Sequence, residues 1–174
     1  MKKKFWVQIV VLFTFFLVAS NAYAYNLLGG KQKTTNIVYH INPSLTSIYH
    51  SSLHSAMSAW DSATKLTFKT SSTADAQIFV NGKDFGKTGW NARATNYKDW
   101  VVVGNYTDSV IDANYYYMGD MNHFRRQGVF AHEIGHTLGL DHVTNTQQVM
   151  CTEADGRAVN VPGQDDIAGI NALY

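Results

Sequence analysis

Residues 131–142 read AHEIGHTLGLDH, and no other stretch of the chain restricts its fold so tightly. An α-helix turns about 100° per residue, so His132 and His136 project from one face about one turn apart. Two neutral imidazoles placed that way can bind one divalent metal, most often zinc. Glu133 sits beside the first of them but is rotated off the metal axis. A carboxylate there can reach a water on the metal without ligating, which is the position a general base needs. His142 follows His136 by six positions, about 600° further round a continuous helix, and would face away. It joins the others only if the helix breaks. Gly139 is where a chain would break, because glycine tolerates the left-handed conformation that ends helices.

Three nitrogen ligands leave a fourth position open, the arrangement of catalytic rather than structural zinc. A helix that merely carries spare histidines has no need of the glycine and the third histidine at those places. Gly135 points the same way. Glycine inside a helix costs about 1 kcal/mol relative to alanine, and a backbone packed close beneath the metal would explain it. His40, His50, His54 and His123 lack comparable spacing and read as structural or solvated.

The chain opens with Lys2, Lys3 and Lys4, then the uncharged run FWVQIVVLFTFFLVA (Phe5 to Ala19), then SNAYA. Ala22 and Ala24 fit the small-residue rule for signal peptidase, so residues 1–24 are expected to be a cleaved signal peptide. The run is short for a bilayer span of roughly 20 residues; the alternative is an uncleaved anchor. Residues 25–35 are then a short N-terminal segment and residues 36–174 the domain. Without the leader's three lysines, 11 Lys and Arg stand against 13 Asp and Glu. That balance, with no basic patch, argues against nucleic acid and anionic membranes as partners. Cys151 is the single cysteine, so no internal disulfide can form. It reads as a buried small hydrophobe, the alternative being a thiol that pairs between molecules.

The segment NIVYHI (Asn36 to Ile41) is β-branched and aromatic, and Pro43 stops it as a strand. Tyr49, Leu53, Ala56, Trp60 and Ala63 recur at steps of three and four, one apolar stripe on an amphipathic helix. Leu66 to Thr70 and Ala76 to Val80 read as strands, and NGKDFGKTGWNARATNYKD as a long surface loop. WVVVGNY and SVIDANY are further strand candidates joined by a turn at Thr107 and Asp108. Helices are expected over about Met121 to Leu138 and from about Gln164. Strands and helices mix without regular alternation, so the fold class is α+β.

With these motifs in place the sequence resembles the metzincin zinc peptidases, and within them the matrixin, or matrix-metalloproteinase-like, catalytic domain. HEIGHTLGLDH matches the metzincin zinc motif, Met150 stands where that family has its Met-turn, and GQDDIAGINALY resembles the matrixin C-terminal helix with Asp165 and Asp166. AWDSATKLTFKTSSTADAQIFV resembles the helix-to-strand passage of the same domain. The resemblance implies a twisted five-stranded mixed sheet with three helices and a zinc site at the active-site helix and the bend after it. It implies substrate extended along an edge strand near Trp100 to Tyr106, and a side-chain pocket walled by the segment after Met150. Structural calcium is also a family feature, but no clear match to its ligands lies between Gly82 and Tyr117. Two departures stand out: Val143 replaces the serine that follows the third histidine in many matrixins, and position 152 is threonine, not the tyrosine of astacin-like and serralysin-like relatives. About eleven residues separate Ala24 from the first strand and none is a cysteine, so latency by a cysteine switch is not expected.

The expectation is therefore a secreted, extracellular, monomeric zinc endopeptidase acting on proteins or peptides, without stable membrane association. His132, His136 and His142 hold zinc, Glu133 is the general base, and Met150 packs beneath the metal. The alternative is a noncatalytic peptide-binding module on the same scaffold.

Overall fold

A computed structural model describes residues 24–72, 75–98 and 104–174. The expected signal peptide, Ala24 apart, lies outside the described residues. In chain order the elements are β1 (Asn26–Leu27), β2 (Asn36–Ile41), a 3-10 turn (Ser47–Tyr49), α1 (His50–Ala63), β3 (Thr67–Thr70) and β4 (Ile78–Lys83). They continue with β5 (Ala92–Lys98), β6 (Tyr106–Asn114), α2 (Tyr115–Met118), α3 (His123–Leu138), β7 (Leu140–Asp141) and α4 (Gln164–Leu173).

Among the described residues the main sheet has five strands in the order β3-β2-β4-β6-β5. β2 pairs parallel with β3 and β4, β4 pairs parallel with β6, and β5 runs antiparallel on the edge. Parallel neighbours need a crossover, and α1 supplies the one between β2 and β3. Alternate residues of the strands, Ile37 and Tyr39, Ile78 and Val80, Ile111 and Ala113, are buried. They form one core with Leu53, Met57 and Trp60 of α1 and Phe130, Ile134 and Leu138 of α3. The apolar stripe of α1 is what the sequence spacing demands of a helix with one covered face. Trp60 is wholly buried, and its indole N–H donates to the carbonyl of Ala131 at 2.9 Å. Burying a tryptophan requires such a partner, and here it ties α1 to α3 at the residue before His132.

α3 starts at an Asn122 cap, whose side chain accepts the Arg125 N–H at 2.9 Å. It stops at Gly139, which has φ 108°. A side chain there is doubly excluded, since a Cβ would lie 2.1 Å from the Gly30 carbonyl oxygen. The chain then turns into β7, which pairs antiparallel with β1, Asn26 opposite Asp141 and Leu27 opposite Leu140. Leu28 N–H donates to the Gly139 carbonyl at 2.9 Å. Residues 25–35 thus brace the bend that carries His142.

The α+β class and five-stranded mixed sheet are as expected, and three details are corrected. Among the described residues the edge strand is Ala92–Lys98, so the long surface loop expected there is partly strand. Of the expected Trp100 to Tyr106 stretch, residues 100–103 lie outside the described residues and Tyr106 begins the inner strand β6. Thr107 and Asp108 are not a turn: β6 runs unbroken from Tyr106 to Asn114, with residues 99–103 outside the described residues. Besides the three long helices there is the four-residue α2, capped by the Asn114 side chain accepting from Tyr116 N–H.

Candidate metal centre

The break at Gly139 turns the chain back so that His142 meets the two histidines of α3. The Nε2 atoms of His132, His136 and His142 form a nearly equilateral triangle with edges of 3.1, 3.0 and 3.1 Å. Those distances are within hydrogen-bond range, yet tautomers forbid a simple hydrogen-bonded trio. His132 Nδ1 lies 2.8 Å from the Val149 carbonyl and His136 Nδ1 lies 2.8 Å from the Leu140 carbonyl. A ring nitrogen facing a carbonyl must carry the proton, so the Nε2 atoms of both rings present lone pairs. Lone pairs converging on one point repel unless a cation sits among them. Tetrahedral zinc with Zn–N bonds of about 2.0–2.1 Å spaces its nitrogen ligands about 3.3–3.4 Å apart. The observed triangle fits that to within a few tenths of an ångström. Among the described residues this is the one cluster of three histidine, cysteine or carboxylate groups close enough to share an ion.

Electrostatics agree with neutral ligands. Burial pushes His132 well below the ordinary histidine value, the neighbouring His136 adding to the effect. Burial likewise lowers His136 to about 4. His142 is held by its backbone: its N–H donates to the Asp141 carboxylate at 2.7 Å, and its carbonyl accepts the Asn26 side-chain N–H at 2.7 Å. Its Nδ1 has no protein partner among the described residues, which is consistent with valine at position 143.

Glu133 is buried beside the triangle, and its Oε2 accepts the Ala94 N–H at 2.7 Å. Burial raises its carboxyl to about 7, against the lowering effects of that N–H and of Arg157. Ala94 belongs to β5, so the edge strand and α3 meet at this carboxylate. Asn96 of the same strand donates its side-chain N–H to the His136 carbonyl at 2.9 Å. Met150 is buried, and its Sδ lies against Gly135. The close approach expected at Gly135 is therefore to this thioether. Asp166 of α4 accepts the N–H groups of Val149 at 2.6 Å and Met150 at 3.3 Å, fixing the turn that carries the Val149 carbonyl.

A cleft of about 400 Å³ opens on these groups. The edge strand contributes Ala92, Arg93 and Ala94, and the segment after Met150 contributes Thr152, Glu153, Ala154 and Arg157. Cys151 is fully buried and does not line it. Ala94, Asn96, Asn26, Arg157 and the contacts of Asp166 were not marked by sequence spacing. Each acts through tertiary pairing that leaves no local pattern.

Comparison with known proteins gives the same picture. A family model described as Matrixin matches residues 31–174. Matrix metalloproteinase-20 of Homo sapiens is 30% identical over 168 residues, covering 86% of this chain and 34% of that protein. Interstitial collagenase of Bos taurus is 28% identical over 153 residues, covering 82% of this chain and 32% of its own length. Metalloendoproteinase 1 of Glycine max is 26% identical over 164 residues, covering 81% of this chain and 51% of its own length. The chain thus spans from about a third to about half the length of these relatives.

Proposed function

The chain belongs to the matrixin family, a family of zinc metalloendopeptidases, and we propose that it is itself a secreted zinc-dependent endopeptidase. His132, His136 and His142 hold the metal and Glu133 is the general acid and base. The observation that carries this reading is the triangle of Nε2 atoms 3.0–3.1 Å apart with Glu133 lining the same cleft.

Bound zinc supplies a Lewis acid that polarises a carbonyl and brings the acidity of water near neutrality. The protein's residues do the rest. The Ala94 N–H fixes one carboxylate oxygen of Glu133, leaving the other to take a proton from the attacking water and pass it to the leaving amine. Burial lifts this carboxyl to about 7 before any metal is bound, the direction that helps it hold a proton for the leaving amine. Substrate backbone lies along β5, whose outer edge is free of any strand partner among the described residues, in the manner of strand addition. Among the described residues no helix is long and apolar enough to cross a membrane. Secretion rests on the expected signal at residues 1–24.

The test is hydrolysis of an internally quenched peptide library by the purified protein. Activity is expected to vanish with a chelator and return with zinc. A zinc-loaded protein that cleaves no member would overturn the assignment in favour of a noncatalytic peptide-binding module.

A further inference from the structure

The charged side chains lining the cleft differ in one respect: which of them already have a partner. Glu153 is fully engaged, one oxygen accepting from Arg125 at 2.6 and 2.8 Å and the other from Asn91 at 2.5 Å. Arg93 pairs with Asp112 at 3.7 Å and stacks on Trp90 with its guanidinium 5.1 Å from the ring centre. Glu133 is anchored by Ala94. Among the described residues the Arg157 guanidinium has only one hydrogen bond, a long one from Nη1 to the Cys151 carbonyl at 3.5 Å, and it takes part in neither ion pair.

Its position is set by an absence. A Cβ at Gly128 would lie 3.3 Å from Nη2 and 3.4 Å from Nε of Arg157. The guanidinium therefore lies on the bare backbone of α3, one turn before His132, in space that a side chain at position 128 would take. From there it reaches the cleft next to Val129 and Glu133. A guanidinium presents five N–H donors in a planar fork that matches a carboxylate. Burial holds Arg157 below its ordinary pKa, against the raising effects of the Glu153 and Glu133 charges, neither of which hydrogen-bonds to it. An apolar side chain entering this pocket would cover guanidinium N–H donors that have no acceptor in the protein, which is costly. A carboxylate would complete it.

We infer that Arg157 is the specificity-determining floor of the side-chain pocket beside the metal, and that it selects substrates presenting a carboxylate there, an aspartate or glutamate side chain within the peptide. This rests on the peptidase reading above for its biological meaning, but not for its test. Binding is measured with zinc-loaded Glu133→Ala protein, using short peptides blocked at both ends that differ at a single position in bearing Glu, Gln or Leu. The Glu peptide is expected to bind about tenfold more tightly than the Leu peptide, a typical scale for a desolvated charge pair. Adding Arg157→Leu should remove or reverse that ranking, and Arg157→Lys should keep part of it. Arg157→Gln, of similar size and uncharged, gives the same reading should the leucine variant fail to fold. Equal binding of Glu and Leu peptides, or a preference that survives loss of the charge, overturns the inference. A Leu peptide with a free C-terminus matching the blocked Glu peptide would also overturn it, by assigning the site to chain ends. Turnover by the wild type without acidic enrichment at any position near the cut would sink the subsite and leave the peptidase standing. The binding preference without any turnover would do the reverse.

Discussion

Met150 lies with its Sδ where any side chain at Gly135 would begin: a Cβ built on Gly135 falls 2.2 Å from that sulfur and 3.2 Å from the Trp60 ring. The turn below the three histidines and the helix that carries two of them therefore fit only because residue 135 has no side chain. Alanine favours a helix interior by about 1 kcal/mol over glycine, so an exposed Gly135→Ala would stabilise. Here overpacking decides the sign, and a loss of about 1–3 kcal/mol is expected. Urea unfolding of the zinc-free protein measures it. An increase in stability would show that Met150 gives way freely.

Asp166 reaches the histidine triangle through two hydrogen bonds in series. Its Oδ2 accepts the Val149 N–H, and the Val149 carbonyl faces His132 Nδ1. The same oxygen also accepts the Gly163 N–H at 2.8 Å. Asparagine keeps one acceptor but turns an NH2 toward backbone donors. Asp166→Asn is expected to lower zinc affinity about 10-fold or more, the usual effect of losing an outer partner of a metal-ligating histidine. Competition with a chromophoric chelator reads this directly, and unchanged affinity would show that the His132 ring is held by other contacts.

Acid should destabilise the zinc-free protein, with a sign set by opposing groups. His132 lies well below the ordinary 6.5 and His136 at about 4, so on acidification the unfolded chain takes up protons that the folded chain refuses. Their contribution is present above pH 6.5 and is lost as pH falls below it, for His136 down to about 4. Glu133 acts oppositely, because its folded value of about 7 exceeds the ordinary 4.5: its contribution is present below pH 4.5 and lost as pH rises through about 7. Two histidines outweigh one glutamate, so stability should fall with acid across this window. Glu133→Gln removes the offset and should steepen the slope by roughly 1 kcal/mol per pH unit. Denaturant midpoints between pH 5 and about 6.5 in both proteins test this, and parallel slopes would contradict it.

Much of this centre was legible because it is local. Helical periodicity places His132 and His136 on one face, and Gly139 is a stop that any chain would use. The stripe on α1 and the strand Asn36–Ile41 are equally local and appear where expected. The edge strand was not legible. ARATNYK is polar on both faces and flanked by turn residues, and it becomes a strand through its pairing with β6 and its contacts to α3 through Glu133 and His136. β6 crosses Thr107 and Asp108 because Asp108 pairs with Tyr97 of the partner strand, while Thr107 sits at a bulge and its hydroxyl donates to the Tyr97 carbonyl. Asn26 lies far along the chain from His142, and only the fold brings its side chain to the His142 carbonyl. Arg157 follows the histidines in a segment whose place in the cleft no local pattern marks.

The most direct test of the central claim compares zinc content and peptide hydrolysis in the wild type and Glu133→Ala side by side. The variant is expected to bind zinc at the wild-type stoichiometry, since Glu133 is not among the three converging nitrogens. Its turnover should fall by at least about a hundredfold, the lower range of what a positioned acid–base group contributes. Full hydrolysis by a zinc-loaded Glu133→Ala protein would contradict the account.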